Sequence, residues 1–209
     1  MSRLTIAIPT FRRPQDLKRA VSGVLEQAGE LVDGPRVEAC DPEGDTAGAA
    51  DADGGAGRGV YDVEVLVIDN DARGTGREAA LTAAADAGVA VRSSVEGAEG
   101  PEAVGLRYVV EERAGVAAVR NRALDETGGR DLLIFIDDDE DPEPGWLAAL
   151  VGLWASTGCQ AVAGPVIPVY EVEPEAWVRQ GEFFVRRTWP TGTVRPVAAS
   201  NCLLLDLGF

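Results

Sequence analysis

The sequence predicts one α/β domain of three layers, with helices on both sides of a mainly parallel β-sheet. Three apolar runs with the length of buried strands, residues 4–8, 63–68 and 132–136, alternate with segments of helical periodicity. Strands that alternate with helices form βαβ units, which make successive strands parallel. The chain has 209 residues, and one domain commonly takes about 100–200. We therefore treat residues 1–209 as one domain.

The first half of the chain predicts two strand–helix pairs separated by an insertion. Residues 4–8 predict a buried strand, and Pro14 begins a helix with apolar residues at three- and four-residue spacing. Residues 34–59 contain 7 Gly, 6 Ala and 6 Asp or Glu. Because so little apolar surface cannot offset the entropy of ordering, we expect this insertion to be disordered. Residues 63–68 predict the second strand, and Gly88 ends the helix that follows it.

The second half repeats the alternation of strands and helices. Residues 132–136, Leu-Leu-Ile-Phe-Ile, form the most apolar predicted strand, and a run of acidic residues follows it directly. Residues 89–105 have no clear pattern and are partly loop. The other predicted elements are a strand at 106–110, a helix at 115–127, a helix that begins at Pro142 or Pro144 and passes through Trp154, an extended segment at 161–169, and strand-like stretches from Glu182 onward.

The residue types present exclude several classes of site. The chain has no histidine, which excludes Ser-His-Asp and Cys-His catalysis within it. Its three cysteines, Cys40, Cys159 and Cys202, are far apart in the sequence and have no Cys-x-x-Cys spacing, so a structural zinc site is not predicted. An odd and sparse set of cysteines is typical of reduced thiols in a cytosolic protein.

The chain is strongly acidic, with 19 Lys and Arg residues against 35 Asp and Glu residues and a net charge of −16. Nucleic acids and anionic membranes both reward basic surfaces, so this balance argues against a general binder of either. No apolar run approaches the roughly 18 residues of a membrane span, and residues 1–8 lack the apolar region of a signal peptide. We expect a cytoplasmic protein, with peripheral attachment to the inner face of a membrane left open.

The residues directly after the strands are the candidates for function. In open parallel sheets, ligands bind outside the carboxyl ends of the strands, where the strand order reverses. Asp137, Asp138 and Asp139 follow the most apolar strand, and side chains of an extended segment alternate, so the first and third should point the same way. Neighbouring carboxylates disfavour one another unless a cation lies between them. The pattern predicts a site for Mg²⁺ or Mn²⁺ with additional phosphate oxygens as ligands.

Two further segments carry groups suited to a nucleotide. Arg120 and Arg122 lie two residues apart on a predicted helix and therefore cannot face the same way. One of them could face the ligand edge and pair with phosphate oxygens, although a salt bridge or a solvated helix face is the commoner role of such arginines. Thr10 and Phe11 follow the first strand. A ring there could stack on a base and a hydroxyl could bond to it, although a core-facing phenylalanine fits the spacing equally well.

Four segments in this order resemble the family 2 glycosyltransferases, which have the GT-A fold. They are residues 8–13 (Ile-Pro-Thr-Phe-Arg-Arg), 67–70 (Val-Ile-Asp-Asn), 115–123 (Gly-Val-Ala-Ala-Val-Arg-Asn-Arg-Ala) and 135–139 (Phe-Ile-Asp-Asp-Asp). The resemblance implies transfer of a sugar from a nucleotide-diphosphate donor to an acceptor hydroxyl, with inversion and with a divalent metal. Acceptors would be glycans, lipid-linked molecules or small molecules, in cell-wall, polysaccharide or glycoconjugate synthesis.

The resemblance also assigns roles to individual residues. Asp137 and Asp139 match the family's Asp-x-Asp motif, in which the first would meet the ribose and the second would hold the metal against the diphosphate. A metal and an arginine suit that task, because the leaving diphosphate gains negative charge in the transition state. The residues implied to bind the nucleotide-sugar are Pro9, Thr10, Phe11, Asp69, Arg120, Asp137 and Asp138, and the implied metal ligand is Asp139.

The acidic residue that serves this family as catalytic base has no match. It follows a stretch that resembles residues 196–205, but its usual Gly-Gly-Glu-Asp-like context is absent, and Asp206 lies too close to a strand-like run to replace it. We therefore expect a chain truncated at its C-terminal part. The alternative function is a non-catalytic remnant that binds nucleotide-sugars.

Two other enzyme classes fit single motifs. Gly74, Gly76 and Ala79 form a Gly-x-Gly-x-x-Ala pattern of the dinucleotide-binding oxidoreductases, but it follows the second strand, and Asp69 and Asp71 before it would repel a pyrophosphate. Phosphatases of the haloacid dehalogenase type also have Asp-x-Asp after a strand. They expect Thr or Val where this chain has Asp141, and they expect the motif near the start of the chain.

Overall fold

The computed structural model describes residues 2–34, 61–93 and 103–208. Its central feature is a seven-stranded sheet in the order β3-β4-β2-β1-β5-β7-β6. The predicted insertion at 34–59 lies outside the described residues apart from Gly34, as does the middle of the ambiguous segment 89–105. The predicted α/β class with a mainly parallel sheet is confirmed, since the antiparallel pairings are those that β7 makes with β5 and β6.

The elements alternate along the chain as the sequence predicts. The strands are β1 (Ser2–Thr10), β2 (Tyr61–Asp69), β3 (Ala90–Val91), β4 (Val104–Val110), β5 (Leu132–Phe135), β6 (Ala161–Ala163) and β7 (Leu203–Asp206). The helices are α1 (Pro14–Asp33), α2 (Arg77–Asp86), α3 (Val116–Glu126), α4 (Trp146–Thr157) and α5 (Ala176–Gly181).

The strand order reverses between β1 and β5. From β1 the chain proceeds outward through β2 to β4 on one side, and it then returns to pair β5 with the other side of β1. Loops that follow β1 and β5 must therefore leave the sheet in opposite directions, which opens a cleft at their carboxyl ends. The two strands stay hydrogen-bonded as far as Ile136, just beyond the end of β5, whose amide donates to the carbonyl of Ala7 at 3.2 Å.

Alternation along the strands builds two cores, one on each face of the sheet. The larger core contains Ile6, Val65 and Ile134, against which the apolar sides of α1, α2 and α4 pack. The smaller core contains Ala7, Leu66, Ile68, Leu133 and Phe135, and it is covered by Val119 and Ala123 of α3. Adjacent residues of each strand thus belong to different cores, as a period of two requires. Helix α3 is in this way fixed beneath the carboxyl end of β5.

A buried ionic network lies on the same face as the smaller core. The Arg107 guanidinium of β4 donates to both carboxylate oxygens of Glu64, at 3.0 and 3.1 Å, and also pairs with Glu126 at the end of α3. Arg130 pairs with Asp62 at 3.1 Å. The network consists of three carboxylates and four guanidinium groups, those of Asp62, Glu64, Glu126, Arg92, Arg107, Arg122 and Arg130.

Several element boundaries differ from the sequence prediction. Helix α4 begins at Trp146 and not at Pro142 or Pro144, because a residue before proline avoids the helical region and Gly145 adopts a left-handed φ of 79°. Only Ala161–Ala163 of the predicted extended segment pairs in the sheet. The short helix α5 was not predicted. None of the helices in the described ranges combines the length and apolar character needed to cross a bilayer.

Candidate functional site

The carboxyl ends of β1 and β5 meet through a buried side-chain contact. Thr10, the last residue of β1, donates its hydroxyl to Oδ2 of Asp138 at 2.7 Å. Both side chains are buried, so this contact fixes the distance between the two loops at the point where the strand order reverses. The predicted residues Thr10 and Asp138 are therefore brought together, and the hydroxyl of Thr10 is used within the protein.

Each of the other two motif carboxylates faces an arginine from a different element. Arg13, in the loop after β1, contacts Asp139 at 2.6 Å and Asp138 at 3.5 Å. Arg120 of α3 donates to Asp137 at 3.1 Å, and its guanidinium lies 5.1 Å from the ring centroid of Phe135. Asp138 is buried, Asp137 is half-buried and Asp139 is exposed. The last two residues of the motif form a turn and not an extended segment, so the predicted alternation of side chains does not continue through it.

Burial disfavours the charged form of two carboxylates at this edge of the sheet. Burial raises the pKa of Asp137, Arg120 opposes the rise, and the charge of Asp139 adds to it. Smaller opposing effects come from Arg13 and Arg186. Burial likewise raises the pKa of Asp138, against the hydrogen bond from Thr10. A divalent cation would relieve this repulsion, which is the condition for a carboxylate metal site.

The two predicted arginines of α3 diverge, as their spacing requires. Arg120 points to Asp137 at the site, whereas Arg122 pairs with Glu126 one turn further along the same helix, at 2.6 Å. The Nε atom of Arg120 is buried and has no hydrogen-bond partner in the described structure. The two terminal nitrogens of Arg120 hold it at the cleft, since Nη2 donates to Asp137 and Nη1 donates to the carbonyl of Ser200.

Residues 200–202 also belong to the site, and sequence reasoning missed them. Arg120 donates to the carbonyl of Ser200, and Asn201 donates to Glu140 at 2.6 Å. Glu140 accepts in turn from the amide of Asp137 at 3.1 Å, and burial raises its pKa. Glu140 therefore joins the acidic loop directly to the residues before β7, and Arg120 joins the two indirectly. Cys202 has a left-handed φ of 50°, which is rare outside glycine. The resemblance of residues 196–205 to a stretch of the family marks this segment, but it does not predict these contacts.

Asp69 holds the loop after β2 in place. Its side chain is fully buried, and it accepts hydrogen bonds from the Asp71 and Gly76 amides at 2.8 and 2.7 Å and from the Tyr108 hydroxyl at 2.6 Å. Burial and the bond to Asp69 raise the pKa of Tyr108, so this hydroxyl remains a donor. Asp69 differs from the predicted nucleotide contact in that both its oxygens are occupied inside the fold.

The glycine pattern at 74–79 serves the packing of this loop. A Cβ on Gly76 would lie 2.8 Å from Leu17 and 3.1 Å from Asp69, so a side chain does not fit there. In a dinucleotide-binding loop the amides would face a pyrophosphate, but here the Gly76 amide is bound by the Asp69 carboxylate. The oxidoreductase alternative therefore has no support in this geometry.

The residues after β1 present an exposed aromatic ring at the cleft. Pro9 is half-buried within β1, and Phe11 is 51% exposed. The Arg12 guanidinium lies 4.6 Å from the centre of the Phe11 ring and its Nε donates to Asp71 at 3.0 Å. Arg12 adopts a left-handed φ of 56°, an uncommon conformation for a side chain of this size. The predicted core-facing alternative for Phe11 is wrong, since the ring is half exposed and has the Arg12 guanidinium over one face.

The loop that precedes α3 is held by an acid–base contact. Arg113 lowers the pKa of Glu111 through side-chain and backbone hydrogen bonds. A lowered folded-state pKa gives stability above the ordinary glutamate value of about 4.3, and this stability is lost as pH falls through the lowered pKa. We expect Glu111→Gln to lower the free energy of unfolding at pH 7 and to have little effect at acid pH. Urea unfolding across the pH range measures the difference.

The control for this substitution is Glu112→Gln, which makes the same charge change at an exposed neighbour. It should leave the free energy of unfolding nearly unchanged at every pH. An effect of Glu111→Gln that does not vary with pH would show that the carboxylate charge is not what holds the loop.

The described residues do not form a metal site by themselves. Across the three described ranges, no three acidic or cysteine side chains converge as a group able to hold an ion. The carboxylates of the 137–139 loop nevertheless suit a hard cation, since Mg²⁺ and Mn²⁺ usually take one or two carboxylates and complete their shell with waters and substrate phosphates. These residues therefore fit a metal that binds together with a phosphate ligand.

Three solved structures are similar to this chain in fold. A mannosyltransferase from Pyrobaculum calidifontis, in complex with GDP-Man and Mn²⁺, is 18% identical with a TM-score of 0.47, over 77% of this chain and 34% of that one. Glucosyl-3-phosphoglycerate synthase from Mycobacterium tuberculosis, in complex with Mg²⁺ and UDP, is 18% identical with a TM-score of 0.45, over 78% and 43%. TarS of S. aureus is 12% identical with a TM-score of 0.47, over 81% and 39%.

A curated relative is similar at the level of sequence. The succinoglycan biosynthesis protein ExoM of Rhizobium meliloti (strain 1021) is 33% identical over 143 residues, which is 68% of this chain and 41% of the relative. The chain therefore spans less than half the length of the relatives that it matches.

A family profile matches residues 56–198 and is described as glycosyl transferase family 2. The match covers the loop after β2, helix α3 and the acidic motif, which contribute most of the groups at the cleft. The recognition of the family from four short motifs is thereby confirmed, together with the GT-A type of fold that it implies. The chain belongs to glycosyl transferase family 2.

Proposed function

We propose that this chain carries the donor half of a glycosyltransferase, which transfers a sugar from a nucleotide diphosphate to an acceptor hydroxyl. The observation that carries the proposal is the meeting of Asp137, Asp138 and Asp139 with Thr10 and Arg120 at the reversal of strand order. This edge combines carboxylates for a cation with a guanidinium for phosphate oxygens, which are the groups that a diphosphate leaving group needs.

The donor would lie with its nucleobase against the residues that end β1. Phe11 offers an exposed ring for stacking, and Pro9 and Thr10 form the backbone wall beside it. Asp137 would then meet the ribose. Asp69 would support this end indirectly, because its carboxylate fixes the loop after β2 through Gly76 and Tyr108.

Asp139 would hold Mg²⁺ or Mn²⁺ against the diphosphate, and when bound the metal neutralises the charge that develops on the leaving group. In the structure Arg13 occupies this carboxylate, and the side chains of both partners are about half exposed. Exposed ion pairs contribute only about 0–1 kcal/mol, so a divalent cation can displace Arg13 at little cost. Arg120 would contact the diphosphate from the side of α3.

Inversion requires a base for the acceptor hydroxyl, and the acids of this edge already have partners. Asp137, Asp138 and Asp139 face Arg120, Thr10 and Arg13, while Glu140 is bound by Asn201 and Asp141 by Arg19. Asp206, in β7, accepts a hydrogen bond from the indole nitrogen of Trp154. We therefore assign no base among them. This pairing is what favours the alternative, a nucleotide-sugar-binding protein without transfer.

We infer a role in polysaccharide or glycoconjugate synthesis, which is supported by the similarity to a succinoglycan biosynthesis protein. An acceptor hydroxyl on a glycan, a lipid-linked sugar or a small molecule is compatible with a cleft that is open beside Asp139. The donor sugar and its base depend on contacts beyond those of Phe11 and Asp137.

Calorimetric titration of the whole chain with UDP and with GDP, each with and without Mn²⁺, tests the donor site. We expect metal-dependent binding of one of these nucleotides. Arg120→Ala should weaken that binding at least about 10-fold, because it removes a charge-assisted contact. A chain that is folded by circular dichroism but binds neither nucleotide would overturn the proposal. Metal-dependent binding without sugar transfer to any acceptor would favour the binding protein.

A further inference from the structure

One segment of the chain has aromatic and arginine side chains exposed together. We call residues 176–198 the aromatic–arginine segment. Every residue in it except the half-buried Val178 is exposed. Trp177, Phe183, Phe184 and Trp189 are 62%, 65%, 58% and 48% exposed, although aromatic side chains of this size dominate the cores of most proteins. Large exposed apolar patches usually mark a surface that binds a partner.

The charge of this segment is opposite to that of the rest of the protein. It contains four arginines, Arg179, Arg186, Arg187 and Arg195, and a single acidic residue, Glu182, which gives a net charge of +3. Arg179 pairs with Glu173 just before the segment, so the basic character comes from Arg186, Arg187 and Arg195. Since the whole chain carries −16, all other residues together carry −19. The net charge of the whole chain therefore does not reveal this local basic surface.

The aromatic and basic side chains are interleaved, and they lie close to one another. The Arg195 guanidinium lies 4.3 Å from the centre of the Trp189 ring, and the rings of Trp177 and Phe183 are 5.9 Å apart. Tryptophan rings favour the interface between water and lipid, and arginine pairs with anionic headgroups. The two groups together match the chemistry of an anionic lipid surface.

Aliphatic side chains in the same segment distinguish a membrane from a nucleic acid. Val194 and Val197 are 95% and 76% exposed. Such side chains have no π-face on which a base can stack, but they gain free energy when they enter an acyl layer. Acidic groups more than about 8 Å from the lipid surface do not prevent this contact, because they are largely screened at physiological salt. Glu173 and Glu175, which are closer, already bind Arg179 and Trp177 of the segment.

The segment adjoins the candidate donor site. Ser200, two residues beyond its end, accepts a hydrogen bond from Arg120. Arg186 lies close enough to Asp137 for its charge to act on that carboxylate. A surface bound through this segment would therefore lie beside the cleft formed by β1 and β5.

We propose that the aromatic–arginine segment docks the protein on anionic phospholipid, with its tryptophans at the headgroup level and its arginines on the phosphates. Docking of this kind sets the cleft against the membrane surface, where a lipid-linked acceptor would present its hydroxyl. The docking surface itself does not depend on the proposed transfer, because it rests on exposure and charge alone.

Co-sedimentation with vesicles tests the proposal. The probes are vesicles of phosphatidylglycerol mixed with phosphatidylcholine, and vesicles of phosphatidylcholine alone. We expect binding to the anionic vesicles that weakens at high salt, and tryptophan quenching by brominated lipid. The double variant Arg187→Gln/Arg195→Gln should bind about 30-fold more weakly, since each basic residue near such a surface contributes about 1 kcal/mol. Trp189→Ser should weaken the binding and reduce the quenching.

Matched controls lie on other faces of the protein. Lys18→Gln removes a basic charge from α1, where Lys18 pairs with Asp86, and Leu124→Ser removes an exposed apolar side chain from α3. Both should bind vesicles as the wild type does. UDP or GDP binding should be unchanged in the Arg187/Arg195 and Trp189 variants, which separates this proposal from that of the donor site.

Three results would overturn the proposal. The first is the absence of binding to anionic vesicles, and the second is equal binding to neutral and anionic vesicles. The third is binding that the segment variants and the controls weaken alike. Self-association in sedimentation velocity that Trp189→Ser abolishes, without any vesicle binding, would instead assign the surface to a second copy of the chain.

Discussion

Replacement of Arg107 by methionine is expected to lower the free energy of unfolding by about 3–5 kcal/mol, the usual effect of removing one partner of a buried ion pair. Arg107 binds both oxygens of Glu64 and also pairs with Glu126. The Glu64 side chain is completely buried. Without Arg107, its carboxylate would keep only the more distant Arg130, at 3.7 Å. Urea unfolding at pH 7 measures the loss.

Two other variants show whether the loss comes from the uncompensated charge. Glu64→Gln combined with Arg107→Met should recover part of the stability, because the buried charge is then removed together with its partner. Arg19→Met breaks exposed contacts with Asp16 and Asp141, so it should cost less than about 1 kcal/mol. If Arg107→Met costs no more than Arg19→Met, the network does not stabilise the fold.

Asp139→Asn should weaken the metal-dependent binding of the nucleotide by about 100-fold, since a ligated metal contributes several kcal/mol. Asparagine keeps the shape of the side chain and loses the charge that a divalent cation needs. Binding measured without metal should stay as in the wild type, because Thr10 and Asp138 still join the loops. Calorimetric titration with and without Mn²⁺ separates the two contributions.

Asp141→Asn is the matched control, because it removes a carboxylate two residues further along the same loop. Asp141 is exposed and pairs with Arg19 of α1 at 2.6 Å, so its loss should change neither the metal dependence nor the affinity. Equal effects of the two substitutions would mean that only the total charge of the loop matters. In that case, Asp139 would not be the metal ligand.

The sequence predicts the centre of the fold well because apolar runs are local features. The apolar runs at 63–68 and 132–136 predict β2 and β5 directly. Strand ends are harder to predict, since β1 begins at Ser2 only because that residue pairs with Tyr61, 59 positions away. The antiparallel direction of β7 depends on its pairing with β5, which no local pattern of Leu203–Asp206 records.

The candidate site was predictable in its residue types and less so in their partners. Spacing placed Arg120 and the acidic motif at one edge of the sheet, and the structure brings them within 3.1 Å. The sequence could not show that Tyr108 and Gly76 would bind the Asp69 carboxylate, because those contacts depend on the packing of two loops. The contacts of Ser200 and Asn201 could not be predicted for the same reason.

The position of β7 has a consequence for how the protein is made. This strand is the last of the seven to leave the ribosome, yet it lies between β5 and β6 and pairs with both. A nascent chain that ends at β6 would expose the hydrogen-bonding groups of two strands, which are prone to pair with other chains. Arg120 and Glu140 would also lack their contacts with Ser200 and Asn201 until those residues are synthesised. The cleft can therefore reach its final structure only when β7 has been translated.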